Sequence, residues 1–548
     1  MSWSTKNNFS RLRGLMLCIG SVQAQSGGPR GPATYGWNYS PTSKDNEAVS
    51  RNYQDIDIEL LSPAFLDPKS VPEGFKNGTA GPTDDDTLDH FLRSIASRND
   101  WFNYQVADFK SEEGRAMPYA FLRSTSQVTF NSTDKLRVYI QGAIHGNEPA
   151  GDQGIMALLG KMDANQTWTA SILEKMDILV LPRYNADGVH YFQREFASNI
   201  DPNREHTKLM NQQTRDIKKL IVPFQPHIVV DMHEYAGHNL FSGRYRHGQD
   251  AMIATGRNLN THPDIRNLTE NLFSAGVGEA LVRRGMRWEP YVLGDTSDVE
   301  GTPIVFEEAV TSPTSGRNAF GLTQAVAILC EIRGQWLADQ HFQRRTAAAL
   351  TMLEAVLDIA VENTDKVLTT IEDAIEDFIQ SDDDIILTDY RESINRTYTL
   401  VDIKNGSIVQ VPVEFKHSVP AVANLTRSRP EAYLIPRNLA PIAGRLSLSG
   451  VEVETLRYEY RGTVQAYNVT SAKLDDSFYE GVVRNRVTTE PFERELVMPA
   501  GSFRVSVRQK NAAMAFVTLE PESDVSFVTF GLIHLEEAWE YPIFREVA

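Results

Sequence analysis

The stretch from Leu136 to Met162, LRVYIQGAIHGNEPAGDQGIMALLGKM, carries the pattern that decides the fold. It opens with an apolar, β-branched run, continues through the polar turn HGNE at 145–148, and closes with a helical apolar pattern. Similar apolar runs at Ile178–Leu181 and Ile228–Val230 are separated by helical stretches such as Asn211–Leu220. This alternation, which extends over about residues 86–365, predicts an α/β domain with a mixed, mostly parallel sheet flanked by helices.

Changes in composition divide the chain of 548 residues into four predicted segments. Residues 1–24 indicate a signal peptide, because Arg11 and Arg13 precede a short apolar stretch that ends at the small residue Ala24; the alternative is a disordered arm. Residues 25–85 are rich in Gly, Pro, Asp and Ser and predict a loosely structured N-terminal leader. Residues 86–380 form the α/β domain, which ends in one long or broken helix over 346–380. Short alternating segments in residues 381–548 predict a following all-β, sandwich-like domain.

Composition and charge exclude several classes of partner. The chain has 54 basic and 72 acidic side chains, a formal net charge of −18. Such a field repels phosphate backbones and anionic lipid, so we expect no nucleic acid and no membrane as partner. No apolar run approaches the ~20 residues of a membrane helix.

Glycosylation signals and cysteine usage point to the secretory pathway. Beyond the first segment the sequence has nine N-x-[ST] sequons, at Asn38, Asn77, Asn131, Asn165, Asn267, Asn395, Asn405, Asn424 and Asn468. Of the two cysteines, Cys18 lies in the predicted signal peptide, so Cys330 alone would remain and no internal disulfide could form. We therefore expect a secreted (extracellular) or vacuolar protein that carries N-linked glycans.

Polar side chains of metal-binding types follow several of the apolar runs. His145 and Glu148 follow the first strand, His233 follows the run at 228–232, and Glu331 follows the run at 325–330. In an open α/β sheet the residues just beyond the carboxyl ends of the strands line the ligand crevice. Two histidines and one glutamate leave an open position on zinc for water, and imidazole favours zinc over magnesium or calcium. The pattern predicts one zinc ion held by His145, Glu148 and His233.

The ordered set of motifs resembles the zinc metallocarboxypeptidases of the carboxypeptidase A family. The motifs are SEEGR at 111–115, HGNE at 145–148, NADG at 185–188, DPNR at 201–204, DMHEY at 231–235 and CEIRG at 330–334. The resemblance covers roughly residues 86–345, and the β-rich tail is similar to that of larger secreted members. It implies a secreted zinc-dependent peptidase that removes C-terminal amino acids from peptides with a free C-terminus.

The resemblance also implies a role for each matching residue. Glu331 would be the general base, and Arg194 would polarise the scissile carbonyl. Asn203 and Arg204 would grip the terminal carboxylate of the substrate, and Asp201 would orient His145. The family often has a tyrosine that closes over the substrate, but the sequence has none between Gly294 and Glu331; Tyr291 is the nearest. The segment 300–317, where a specificity pocket is expected, contains no determinant that the sequence identifies.

Two other functions stay open at this point. A related zinc-dependent deacylase of small N-acyl amino acids uses similar motifs, and a catalytically inactive relative could bind peptides or glycans through its β domain. Glu234 competes weakly with Glu331 for the role of base, although neighbouring strand residues point to opposite faces. The acidic loop with Asp295, Asp298 and Glu300 is expected to be solvated. The remaining histidines of interest are expected to be surface or hydrogen-bonded residues: His206, His227, His238, His247, His262 and His341.

Overall fold

The structure is a computed structural model that describes residues 42–124 and 135–547. The predicted signal peptide and the sequons at Asn38 and Asn131 lie outside the described residues. The strands in chain order are β1 (Phe102–Lys110), β2 (Ala116–Leu122), β3 (Leu136–Gly142), β4 (Met176–Leu181), β5 (Ile228–Ala236), β6 (Tyr245–His247), β7 (Ala251–Thr255), β8 (Trp288–Pro290), β9 (Val292–Gly294), β10 (Val305–Glu308), β11 (Val326–Gln335), β12 (Ile385–Asp402), β13 (Ile408–Arg427), β14 (Ala432–Ile435), β15 (Glu454–Thr455), β16 (Tyr460–Tyr479), β17 (Val482–Met498), β18 (Phe503–Ser506) and β19 (Phe544–Glu546).

The helices lie mainly between the strands of the first 380 residues. They are α1 (Glu47–Ser50), α2 (Pro63–Leu66), α3 (Asp85–Ala96), α4 (Pro149–Ala164), α5 (Gln166–Lys175), α6 (Ala186–Tyr191), α7 (Gln212–Ile221), α8 (Pro263–Leu268), α9 (Ala275–Arg283), α10 (Gly316–Gly321), α11 (Phe342–Glu362), α12 (Thr364–Gln380), α13 (Ala440–Leu448) and α14 (Ala512–Leu519). None of the helices in the described ranges is both long and apolar enough to cross a membrane.

A central eight-stranded sheet has the order β1-β2-β4-β3-β5-β11-β7-β8. Its middle strands β4, β3, β5 and β11 run parallel, whereas β1, β2 and β7 join by antiparallel pairing. The parallel strands are buried on both faces, which is why they appear in the sequence as nearly continuous apolar runs. The predicted mixed sheet flanked by helices is confirmed.

Alternation along each strand divides the core of this domain into two layers. Val138 and Ile140 of β3 pack into the larger cluster with α4, α9 and α11, whereas Tyr139 packs on the opposite face with residues of α7 and α10. Successive strand side chains point to opposite faces, so one short run can supply both layers. Because β3, β5 and β11 are parallel, their carboxyl ends lie at one edge of the sheet, which positions the site described below.

The segment before the central sheet is packed, not loosely structured, over residues 42–84. Val49 and Tyr53 are buried with Val401 of β12, and Phe75 packs edge-on against Phe342 of α11. The sequence predicts a loosely structured leader over residues 25–85; within 42–84 several apolar residues are buried in such contacts, whereas Leu66 is 58% exposed. The predicted helix over 346–380 is broken, since α11 and α12 meet at Asn363.

The β-rich C-terminal region contains two further sheets. The long hairpin β12–β13 pairs with β6 on one side and with β10 on the other, and β9 pairs with β10, so the hairpin extends from the α/β domain itself. The last sheet, in the order β15-β18-β14-β19-β16-β17, is antiparallel throughout. This confirms that the region is β-rich, but it is not all-β as predicted, because α13 and α14 also belong to it. The boundary at residue 380 stays a prediction.

Candidate active site

The turn from His145 to Glu148 leaves the carboxyl end of β3 and packs against residues 185–188, where α6 begins. Gly146 makes this close approach possible, because a Cβ atom built on it would lie 1.9 Å from the carbonyl carbon of Gly188. Glu148 is the residue directly before α4, and its side chain makes no capping hydrogen bond to that helix. The glycine in the HGNE motif is thus required by backbone contact, and it holds two polar side chains at the sheet edge.

His145, Glu148 and His233 bring their polar atoms together in a buried cluster. Each offers an atom within 4.8 Å of the others, and all three side chains are almost fully buried. His145 Nδ1 lies 2.8 Å from Glu148 Oε1, and His233 Nδ1 lies 3.0 Å from Glu148 Oε2. The two Nδ1 atoms are 3.1 Å apart. Burial opposes ionisation of Glu148, but His145 and His233 outweigh it and lower the pKa of its carboxyl group.

The outer nitrogen of each histidine faces a carboxylate. His145 Nε2 lies 3.1 Å from Asp201 Oδ1, and His233 Nε2 lies 3.2 Å from Asp231 Oδ2. Such carboxylates orient metal-binding histidines and fix their tautomer. Arg194 Nη1 also lies 3.1 Å from His145 Nδ1, the same nitrogen that faces Glu148 Oε1. The Nδ1 atoms of both histidines therefore face the cluster, on the side where a metal ion would bind.

Arg194 connects the two sides of the cluster. Its Nη1 donates to Glu148 Oε1 at 3.2 Å and its Nη2 donates to Asp201 Oδ2 at 2.9 Å. Burial works against its charge, yet Asp201 and Glu148 raise the pKa of the Arg194 guanidinium above its usual value. A fixed positive charge is thus held between Glu148 of the HGNE motif and Asp201 of the DPNR motif.

Glu331 lies on β11, directly opposite His233 in the register of the parallel pair β5–β11. It is 5% exposed, and its Oε2 has no hydrogen-bond partner among the described residues. Burial, together with the negative charge of Glu148, raises the pKa of the Glu331 carboxyl to about 8, although His233 acts in the opposite direction. Tyr291 lies near enough to Glu331 for their charges to interact. Burial is the main cause that raises the pKa of the Tyr291 phenol, and the charge of Glu331 raises it further. A buried carboxyl with an unpaired oxygen is a group suited to proton transfer.

Asn203 and Arg204 form a short turn that Asp201 caps. Asp201 Oδ1 accepts from Asn203 N at 2.8 Å, and Asn203 Oδ1 accepts from Gly316 N at 2.8 Å. Arg204 donates to the Asn203 carbonyl at 2.8 Å and is partly exposed. The structure therefore brings the sequence-predicted site residues to one place. Asp201, Arg194 and Glu331 lie next to the cluster of His145, Glu148 and His233. Asn203 and Arg204 lie beside it through Asp201.

Several neighbours of the cluster were missed by sequence reasoning. Asp231 had a local signal, because it stands two residues before His233 and so shares its strand face. Gln335 donates to Glu148 Oε1 at 3.1 Å. Glu480, at the tip of the β16–β17 hairpin, accepts from Asp201 N at 2.8 Å through Oε2, and its carbonyl accepts from Lys208 Nζ at 2.8 Å. The partners of these Glu480 contacts are more than 270 residues apart in the chain, so no sequence pattern near either partner predicts them.

The other polar residues considered above lie outside this cluster. Glu234 is held by Arg345, whose Nη2 lies 2.8 Å and 2.9 Å from its two oxygens. His206, His227, His238 and His247 are buried or nearly so, and burial is the largest cause that lowers the pKa of each. Within the described residues, the three side chains His145, Glu148 and His233 are the group with metal-binding geometry.

Comparison with known proteins defines the class. A family model described as zinc carboxypeptidase matches residues 90–225. A solved metallo-carboxypeptidase from Burkholderia cenocepacia aligns with 51% of this chain and 70% of its own, at 14% identity and a TM-score of 0.39. Relatives 48% identical over 93% of the chain show that it belongs to the zinc carboxypeptidase family, enzymes that hydrolyse peptide bonds.

The relatives that carry this assignment are fungal proteins. Carboxypeptidase 2 of Trichophyton tonsurans is 48% identical over 516 residues, which are 93% of this chain and 95% of that protein. Carboxypeptidase 2 of Trichophyton rubrum matches over the same shares at the same identity. The similarity therefore includes the β-rich C-terminal region as well as the α/β domain.

Proposed function

We propose that this chain is a secreted, zinc-dependent metallocarboxypeptidase that removes C-terminal amino acids from peptides. The observation that supports it most is the donor set at the sheet edge, where the Nδ1 atoms of two histidines and a carboxylate converge in a buried cluster. Two imidazoles and one carboxylate fit zinc better than an oxygen-preferring cation. His145, Glu148 and His233 would hold the ion, and Asp201 would orient His145.

Zinc at these three side chains would supply Lewis-acid activation of a water molecule and of the scissile carbonyl. Glu331 is the group that takes the proton from the attacking water and later delivers it to the leaving amine. Its burial and its free oxygen support this role. Arg194 holds a positive charge where negative charge develops on the carbonyl oxygen, a placement that stabilises a transition state.

Asn203 and Arg204 would bind the terminal carboxylate of the substrate. A guanidinium meets a carboxylate with two parallel hydrogen bonds, and the partly exposed Arg204 is open to such a ligand. This pair would restrict the enzyme to the last residue of a peptide. A deacylase of small N-acyl amino acids could use the same groups, so the choice of substrate decides between the two.

Secretion and N-glycosylation are part of the proposal. All seven sequons within the described ranges have an exposed asparagine, namely Asn77, Asn165, Asn267, Asn395, Asn405, Asn424 and Asn468. A glycan at these positions would extend into solvent without disturbing the core. Expression in a eukaryotic host tests this part, through recovery of the protein from the medium and a loss of mass after deglycosylation.

The central experiment measures release of single amino acids from a C-terminal peptide library, with and without a zinc chelator. We expect chelator-sensitive release, and a loss of roughly 100- to 10,000-fold in kcat for Glu331→Gln with zinc content retained. His233→Ala should lose zinc, whereas the control His534→Ala, at a residue 70% exposed, should keep it. Cleavage of N-acetyl amino acids without any peptide release would replace the proposal by the deacylase function. Full activity of Glu331→Gln would refute the assigned base.

A further inference from the structure

Arg317 is a buried arginine beside the site that the proposed mechanism leaves unused. It is the second residue of α10 and is 5% exposed. Its Nη2 donates to the Val310 carbonyl at 2.5 Å, whereas its Nε has no hydrogen-bond partner in the described structure. No carboxylate within residues 42–124 and 135–547 forms an ion pair with it. Its charge is therefore buried without a described carboxylate at ion-pair distance.

The neighbouring Arg257 shows how the same charge is normally compensated. Arg257 Nη1 lies 3.1 Å from Glu308 Oε1, and its Nη2 lies 3.6 Å from Glu270 Oε2. Burial, followed by repulsion from Arg257, lowers the pKa of the Arg317 guanidinium to about 10, which still leaves it charged at neutral pH. An unpaired buried charge is unfavourable, so an anion that enters next to Arg317 would be bound strongly.

Arg317 lies next to residues of the proposed site. The N–H of the preceding residue, Gly316, is bonded to Asn203, and the electrostatic neighbours of Arg317 include Arg204, Tyr291 and Glu331. Arg204 is the proposed ligand of the terminal carboxylate, and Glu331 is the proposed base. A C-terminal residue held between these two groups would have its side chain within reach of Arg317.

We propose that Arg317 binds the side-chain carboxylate of an acidic C-terminal residue, so that the enzyme prefers peptides that end in glutamate or aspartate. This inference rests on the proposed carboxypeptidase function. The planar guanidinium can donate two parallel hydrogen bonds to a carboxylate, and its Nε is not engaged by any described residue. An uncharged isostere such as glutamine loses the ionic part of this contact.

A preference for basic residues finds no support in the neighbouring acidic groups. Asp295, Asp298 and Glu300 lie in an exposed loop, and Glu300 is paired with Lys404 at 2.9 Å. Glu308, which is buried, is already paired with Arg257. The uncompensated charge next to the base is positive, and it selects for a negative ligand.

The test compares four peptides that differ only in the last residue, which is Glu, Gln, Leu or Lys. For the wild-type enzyme we expect kcat/KM on the Glu peptide to exceed that on the Gln peptide by roughly 10- to 100-fold. Arg317→Met should bring this ratio close to one, mainly through KM, and Arg317→Glu should favour the Lys peptide. Arg257→Lys is the matched control, because it alters a buried arginine whose charge is already compensated, and it should preserve the ratio.

Each outcome separates this inference from the proposed function. Equal losses on all four peptides for Arg317→Met would mean that Arg317 supports the terminal carboxylate or the fold, and would overturn the inference. If Arg317→Met does not fold, the wild-type ratio and Arg317→Lys decide, and a wild-type ratio near one also overturns it. Failure of the wild type to release any residue from any peptide would instead refute the proposed function.

Discussion

Asp45 lies in the segment before the central sheet, and its carboxylate joins that segment to the end of β11. Arg333 Nη1 lies 2.6 Å from Asp45 Oδ2 and Arg333 Nη2 lies 2.9 Å from Asp45 Oδ1, with both side chains almost fully buried. Arg246 and His341 approach the same carboxylate, at 3.2 Å and 3.3 Å. Replacing Asp45 by alanine would therefore leave a buried arginine without its anion.

The cost of removing one partner of a buried ion pair is about 3–5 kcal/mol. Arg333 would keep its hydrogen bonds to the carbonyls of Gly237 and His247, at 2.8 Å and 3.2 Å, so we expect the lower end of this range. Asp45→Ala should reduce the free energy of unfolding by about 3 kcal/mol. Urea unfolding followed by circular dichroism measures this difference, provided that the transition containing the α/β domain is analysed by itself.

The neighbouring residue Lys44 provides the matched control. Its Nζ also pairs with a carboxylate, Asp339, at 2.6 Å, but this pair is 42% and 35% exposed. Lys44→Met should cost less than about 1 kcal/mol. Burial opposes ionisation of Asp45, but Arg333 outweighs it and lowers the pKa of Asp45 below its value in the unfolded chain. The contribution of ionised Asp45 to the free energy of unfolding is therefore complete above about pH 4 and is lost as the pH falls further. An equal, small effect of both substitutions would refute the view that this segment is part of the folded core.

Three further predictions concern the site, its supporting turn and pH. Glu480→Ala removes a charged acceptor from Asp201 N and should raise KM by roughly 10-fold with little change in kcat. Glu480→Gln should recover most of this loss. An unchanged KM for Glu480→Ala would show that the hairpin tip does not support the site. Gly146→Ala forces two backbones apart and should abolish zinc binding measured by metal analysis, whereas Gly444→Ala, where a Cβ meets no atom within 4 Å, should keep it. Burial is the main cause that lowers the pKa of His247 to about 3, so its neutral form stabilises the fold above about pH 6.5 and this stability is lost as the pH falls toward 3. In urea unfolding at pH 7 and pH 5, His247→Leu should therefore lose less stability on acidification than the wild type does, and parallel losses would contradict the assignment.

Much of the site was predictable because its residues follow strands that are recognisable locally. The β-branched runs at β3, β5 and β11 have the continuous apolar character of strands buried on both faces, and parallel strands end at one edge. His145, Glu148, His233 and Glu331 could therefore be placed together before any coordinates were known. Asp201, Arg194, Asn203 and Arg204 depended on the order of the motifs, since each is an ordinary loop residue by itself.

The sequence by itself determined the class of fold and the donor set of the candidate metal site, because periodicity and motif spacing are properties of neighbouring residues. Only the tertiary structure decided that Asp45 pairs with Arg333, that Glu480 supports Asp201, and that β12–β13 extends a sheet begun by β6, β9 and β10. It also decided that Arg317 is buried and has no ion-pair partner among the residues that the structure describes. These features depend on contacts between residues far apart in the chain, and the free energy of such a contact is set by burial and charge balance at the meeting point, which no local pattern records.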